Sequence, residues 1–379
     1  MFGTILFIIV VSLILYIIYR VSLKYKPRLI YNESGEMAKI ISKMSSLKKF
    51  YKPNPWLFNN HLQTLFGLKF RGRSFYKPIR EDVFFKDGGQ ATIEYFVDEK
   101  NLTEESTIIY IEHTMGGGSR ESCTNFMAVL LMKKRYRVVV CSCRGCNGSK
   151  VTSRRLYNGA QADDLKTIID HVNSKYPKAK NKFLIGFSLG SMVACQYGID
   201  YDDLDGIICI SHTIHVYRGT QFLETGLKRK LYYETMMNHL IKTALKSSFY
   251  SEEEKKAIKK TKLFKEFDDI VTSKNMGLNN AFEYYDLLEL NPKIDKIRIP
   301  MLFIFAEDDP FSRPEWVPVE EIKKSKYLAF VATKEGGHVG FFQNFDTKLT
   351  YSEEVSLDFV KCVSELKNNY GIIENKMVS

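Results

Sequence analysis

From about residue 80 onward, continuous apolar runs alternate with stretches whose apolar positions recur every three to four residues. The runs are short and rich in β-branched and aromatic residues, as at Tyr136–Ser142 and Pro300–Ala306. That pattern predicts strands buried on both faces. Strands are expected near Asp82–Phe85, Ala91–Val97, Ser106–Glu112, Tyr136–Ser142, Lys182–Gly186, Gly206–Ser211, Pro300–Ala306 and Tyr327–Ala332. Helices are expected at Glu121–Lys133, Asn158–Ser174, Ser188–Gly198, Trp316–Ile322 and Ser352–Asn368. Such alternation argues for an α/β chain with a mostly parallel sheet, its functional side chains at the carboxyl ends of the strands. No internal repeat or low-complexity tract interrupts it.

Two regions depart from this rhythm. Phe2 to Tyr19 carries no charge over 18 residues, about 27 Å if helical, which nearly spans a bilayer core. A cleaved signal peptide wants a basic start and a small-residue cleavage site, whereas here Arg20, Lys24, Lys26 and Arg28 follow the run. An uncleaved transmembrane anchor is the better reading. Between Ser211 and Pro300 lies a long helical insertion. Leu223, Leu227, Leu231, Met237, Leu240, Ile241, Ala244 and Leu245 form an apolar stripe there. It reads as core packing first and as a lipid channel second.

The candidate chemistry centres on Lys182–Gly190, an apolar strand running into Gly186-Phe187-Ser188-Leu189-Gly190 and then a helix. A Gly-x-Ser-x-Gly in that context is a nucleophile elbow, whose turn is too tight for side chains two residues either side of the Ser. A hydroxyl nucleophile needs a base and an acid, in the order Ser…Asp…His. His338 follows a strand in the Gly-rich segment Glu335–Phe341, and Glu307-Asp308-Asp309-Pro310 closes another strand. Asp309 is preferred to Asp308 because Pro310 ends the strand and aims the preceding residue into the loop. For an oxyanion hole, the expected donors are the backbone N–H of Leu189 and of Met115, in the turn His113–Ser119. The other six histidines (His61, His113, His171, His212, His215, His239) lack metal-ligand spacing and read as structural, with His212 and His215 placed to line the site's mouth.

These residues, with others upstream, carry a family resemblance. Asn54-Pro55-Trp56-Leu57, Asn59, His61-Leu62-Gln63-Thr64, Asp87-Gly88-Gly89 and Gly117–Ser122 fit it. So do Arg144-Gly145-Cys146, Gly148-Ser149, Leu156-Tyr157, Asp163-Asp164-Leu165, Asp308-Asp309-Pro310 and Gly336–Phe342. Together they make the chain similar to alpha/beta-hydrolase family 4, a membrane-anchored branch acting on acylglycerols, phospholipids and medium-chain esters. The resemblance covers residues 50–345. It implies the alpha/beta-hydrolase fold with a helical cap and puts Ser188, Asp309 and His338 in the charge-relay positions. It departs at His113-Thr114, where the family reads His-Gly; a Cβ there narrows the backbone's options, and Gly116 offers compensation.

Composition adjusts this picture only at the margins. The net charge is +11, and residues 218–262 hold eleven Lys/Arg against five Asp/Glu. A basic cap suits an anionic membrane surface or simply a solvated face; without a recognition motif it does not argue for nucleic acid. Seven cysteines form no disulfide framework, and Cys141, Cys143 and Cys146 have no second ligand pair, so no metal or other cofactor is expected. The sequons at Asn32, Asn101 and Asn147 would matter only in a lumen.

The expected organisation is an anchor over 1–22, a linker and upstream segment over 23–78, and a hydrolase domain over 79–370 with its cap at about 213–298. The expected protein is a single-pass membrane serine hydrolase that cleaves lipid carboxylic esters, either monoacylglycerols or phospholipid acyl esters, through an acyl-serine. Basic residues after the anchor put the domain in the cytosol, with the endoplasmic reticulum one candidate membrane. Two alternatives remain: an acyltransferase using the same acyl-enzyme, although no His-x4-Asp pattern is present, and a non-catalytic membrane scaffold that keeps the fold.

Overall fold

The structure is a computed structural model that describes residues 2–378. Its centre is a nine-stranded sheet with the order β1-β9-β8-β7-β6-β4-β5-β3-β2. The parallel middle consists of β4 (Ile108–Glu112), β5 (Arg137–Ser142), β6 (Lys182–Phe187), β7 (Gly206–Ile210), β8 (Met301–Ala306) and β9 (Leu328–Thr333). The inner strands are buried along their length, which is why each reads as an unbroken apolar run rather than an alternating one. At one edge, β2 (Ile79–Phe84) and β3 (Gln90–Phe96) are antiparallel. At the other edge, β1 (Arg28–Tyr31) pairs antiparallel with β9.

Helices cover both faces. α1 (Phe2–Ser22) is the long apolar helix, and α2 (Glu36–Lys43) and α3 (Asn60–Leu65) follow it. α4 (Ser122–Lys133), α5 (Ala162–Lys175) and α6 (Leu189–Asp200) are the sheet's crossovers, and Tyr351–Val378 forms the last helix. Two large apolar cores result, one on each side of the sheet. The insertion between β7 and β8 is helical, including Val216–Leu223, Glu234–Leu245 and Glu252–Lys260. Its stripe divides: Leu223, Met237 and Ala244 are buried in the cap's own core, Leu223 and Leu240 also face a cavity, and Leu227 is exposed.

Three expectations shift. Residues 23–78, expected as linker and upstream segment, supply β1, α2 and α3 and pack against the sheet. β1 has only four residues and sits at an edge, too short to show an apolar period. The helix expected from Asn158 begins at Ala162, because the side chains of Asn158 and Gln161 bond Ala160 N–H and the Leu156 carbonyl and hold a turn instead. Where a helix is expected at Trp316–Ile322, the structure has a short 3-10 turn, Pro314–Trp316, and then Val319–Lys324, because Pro318 interrupts the run.

Candidate active site

Ser188 lies between the end of β6 and the start of α6, with φ 52° and ψ −114°. An L-residue is held in that conformation only when its surroundings over-determine it. Here both flanking glycines do so. A Cβ at Gly186 would stand 2.3 Å from the Gly190 carbonyl oxygen, and one at Gly190 would stand 2.5 Å from that of His113. The Ser188 N–H bonds the Ile210 carbonyl on β7 at 2.9 Å, fixing the turn to the sheet.

His338 Nε2 stands 2.7 Å from Ser188 Oγ, and its Nδ1 is 2.9 Å from Asp309 Oδ2 and 3.1 Å from Oδ1. Both His338 and Asp309 are buried. With Asp309 accepting a hydrogen bond from Nδ1–H, Nε2 is left with its lone pair towards the hydroxyl, the arrangement a general base requires. Asp308 does something else: its Oδ1 accepts the Gly337 N–H at 2.9 Å. Burial, reinforced by the charges of Asp309 and Glu335, pushes the Asp308 carboxyl up to about 7.

The His338 loop is braced from distant parts of the chain. His338 N–H donates to Thr64 Oγ1, and Val339 N–H to Ser211 Oγ, both at 2.9 Å. Asn60 Nδ2 donates to the Asp308 carbonyl at 2.7 Å. Phe311 stacks face to face on the His338 ring at 3.9 Å and 14°, its own N–H bonded to Asp309 Oδ1 at 2.7 Å. Sequence reasoning assigned no role to Thr64, Ser211, Asn60 or Phe311. Their signal is tertiary: Thr64 and His338 are 274 positions apart.

Both expected oxyanion residues border the same space. Leu189 is the first residue of α6, so its N–H has no intrahelical acceptor. Met115 N–H meets no acceptor among the described residues. Thr114 does not adopt a positive φ; Gly116, at φ 70°, takes the left-handed position. The Thr114 hydroxyl bonds Glu121 Oε1 closely, and its N–H reaches Glu121 Oε2 at 3.4 Å. Burial raises the Glu121 carboxyl's pKa. His113 steadies the turn from beneath, with Nδ1 2.6 Å from the Thr114 carbonyl and Nε2 accepting the Cys143 N–H at 3.2 Å. Burial drives its pKa down to about 4, so the ring is neutral.

Of the remaining histidines, His171 meets Glu81, His215 meets Glu289, and His61 Nδ1 lies 2.8 Å from the Tyr232 hydroxyl. His212 is buried beneath the elbow, 3.2 Å from Ser191 Oγ, rather than at the mouth. Among the described residues, no group of three His, Cys, Asp or Glu is arranged to hold a metal ion. Arg144, in one of the family-like segments, is structural: it is buried between Asp164, Asp87 and Ser153 at 2.6–2.7 Å.

Ser188 opens onto a cavity lined largely by apolar side chains including Met115, Leu189, Met192, Leu223 and Leu240. A second opening reaches Ser188 and His338 from the side of Leu65, Leu68 and Tyr232. A largely apolar lining with a few convergent polar groups suits an acyl chain better than a polar metabolite.

Comparison with known proteins bears on the fold and the family. Residues 107–345 match the family model described as alpha/beta hydrolase fold. The chain is 28% identical to the human protein named phospholipase ABHD3 over 92% of this chain and 87% of that one. It is 27% identical to the Saccharomyces cerevisiae monoacylglycerol lipase, over 73% and 65%. An abhydrolase domain-containing protein of Dictyostelium discoideum is also 27% identical, over 86% and 84%. Among solved structures, an esterase of Pyrococcus furiosus superposes with a TM-score of 0.52 at 14% identity, covering 76% of this chain and 93% of that one. That last likeness concerns the fold alone.

Proposed function

The chain belongs to the alpha/beta hydrolase fold family, and we propose that it is a membrane-anchored serine hydrolase cleaving lipid carboxylic esters through an acyl-Ser188 intermediate. The observation that carries this reading is the unbroken relay Ser188–His338–Asp309 opening onto an apolar cavity. That the chain is a carboxylic ester hydrolase accords with its relatives named monoacylglycerol lipase and phospholipase.

In the first half-reaction His338 Nε2 takes the Ser188 proton as Oγ attacks the ester carbonyl. Leu189 N–H and Met115 N–H, on the residues that border the same space, are the donors for the oxyanion that forms. Asp309 balances the imidazolium charge, and His338 returns the proton to the departing alcohol. Water, activated by the same His338, attacks the acyl-serine and releases the fatty acid and free Ser188.

The anchor is α1. Its segment Thr4–Ser22 is long and apolar enough to cross a membrane and is almost unburied by the rest of the chain. Lys24 and Lys26 directly after it favour a cytosolic domain. An enzyme tethered there meets esters that partition into the bilayer, and the names of the relatives, monoacylglycerol lipase and phospholipase, support that substrate class. The test is fatty-acid release from monoacylglycerols, phosphatidylcholines and simple esters, with Ser188→Ala as control. Release that disappears in the variant supports the reading. Folded protein that releases nothing, with or without an added alcohol acceptor, overturns it.

A further inference from the structure

Beside the anchor, the domain carries a group of aromatic side chains that its core does not use. Phe50, Trp56, Phe58 and Phe345 are each at least half exposed. They converge on one place. The Phe345 segment is tied to the 50–58 loop by the Asn344 N–H bond to the Lys52 carbonyl at 2.8 Å and by the Pro53–Gln343 bridge.

Two contacts set this group's height against α1. The Phe58 ring meets Tyr16 edge-on at 5.9 Å. Tyr16 lies four residues before Arg20, about 6 Å deeper along the helix axis. Phe58 therefore stands beside the apolar part of the helix, not beyond its end. Phe50 lies under Lys24 Nζ at 5.5 Å, just past the helix terminus. The loop thus descends from the level of the first basic residues to inside the apolar span. Aromatic rings grading into lysines at that height match the interface of a bilayer.

We infer that the loop 50–58, together with Phe345, inserts into the same leaflet that α1 crosses, so that the domain lies on the membrane rather than swinging above it on a tether. This rests on the reading of α1 as a membrane anchor. The partner is the interfacial layer of a phospholipid bilayer. The consequence reaches the active site, because the loop runs directly into α3. There Asn60 holds the Asp308 carbonyl and Thr64 holds the His338 N–H. Leu65, Leu68 and Lys69, just beyond, line the opening to Ser188 and His338. Seating the loop in the leaflet brings that opening to the lipid surface, where an ester can enter without crossing water.

The chain has two tryptophans, Trp56 and Trp316. Trp316 packs instead on Phe222 and His215 of the cap side. The full chain is reconstituted into phosphatidylcholine vesicles, some carrying bromine near the top of the acyl chains, as Trp316→Phe (reporting Trp56) and Trp56→Phe (reporting Trp316). The expected result is a blue-shifted Trp56 emission that bromine quenches and a Trp316 emission that it leaves unchanged. Protein that floats with the vesicles but shows no quenching of Trp56 overturns the insertion and leaves the anchor standing. Protein that does not float with them overturns both. In a second measurement, Trp56→Ser with Phe58→Ser should lower hydrolysis of vesicle lipid while leaving that of a water-soluble ester unchanged; equal loss on both substrates contradicts the inference.

Discussion

Arg20, in the last turn of the apolar helix α1, forms a two-pronged ion pair with Glu335, three residues before His338. Nη2 lies 2.8 Å from Oε2 and Nη1 3.2 Å from Oε1, and the Arg20 side chain is 8% exposed. The Tyr25 hydroxyl adds a third bond to Glu335 at 3.3 Å. The chain from 20 to 31 then continues as β1, paired with β9, the strand that leads into the His338 loop. Helix α1 is thereby a wall of the loop that carries His338.

Breaking that pair should act on chemistry even where no membrane is involved. Arg20→Ala, assayed in detergent on a short water-soluble ester, is expected to lose on the order of tenfold in kcat with little change in KM, since small displacements of a catalytic group are costly. Exchanging the charges, Arg20→Glu with Glu335→Arg, should restore part of the loss. An unchanged kcat would mean that α1 does not brace the His338 loop.

The two adjacent aspartates should separate cleanly. Asp309→Asn removes the carboxylate that holds the His338 tautomer and is expected to lower kcat by about 10⁴-fold. Asp308→Asn keeps a carbonyl oxygen for the Gly337 N–H and should stay within about tenfold of wild type. Steady-state kinetics on both variants decide it, and equal losses would contradict the assignment.

Gly186→Ala tests the elbow. Its Cβ would meet the Gly190 carbonyl at 2.3 Å, a backbone contact that cannot move aside. The variant is expected to lose about 1–3 kcal/mol of stability from overpacking and most of its activity. Thermal unfolding and fluorophosphonate labelling, measured together, check both effects.

Glu112 gives a pH prediction. It is buried at the end of β4, where its Oε2 accepts from Cys143 Sγ at 3.1 Å and from the Tyr157 hydroxyl at 3.4 Å. Burial raises its carboxyl from 4.5 to about 8. Between those values the folded chain holds a proton that the unfolded chain has lost. Its contribution to stability is therefore complete below 4.5 and falls as pH rises through about 8, by at most about 1.4 kcal/mol per pH unit. Glu112→Gln cannot lose that proton, so its Tm should gain on wild type as pH rises across this window. A constant difference would contradict the shift.

Much of this was legible in the chain itself, for physical reasons that also mark where legibility ends. β6 and β8 read clearly because a strand buried on both faces must be apolar at every position. The elbow read clearly because its geometry demands glycine at both 186 and 190. β1 was hidden because four edge residues carry no period. Phe311 and Thr64 were hidden because ring stacking on His338 and a hydroxyl under its N–H depend on tertiary approach. The Arg20–Glu335 pair was hidden by its separation of 315 positions; the same arginine read only as part of a basic flank.

The most direct measurement is mass spectrometry of the full chain after reaction with a fluorophosphonate. The account predicts one adduct, on the peptide containing Ser188, absent from Ser188→Ala and strongly slowed in His338→Ala. A folded chain that takes up no probe, or takes it up equally in Ser188→Ala, would contradict the acyl-serine mechanism.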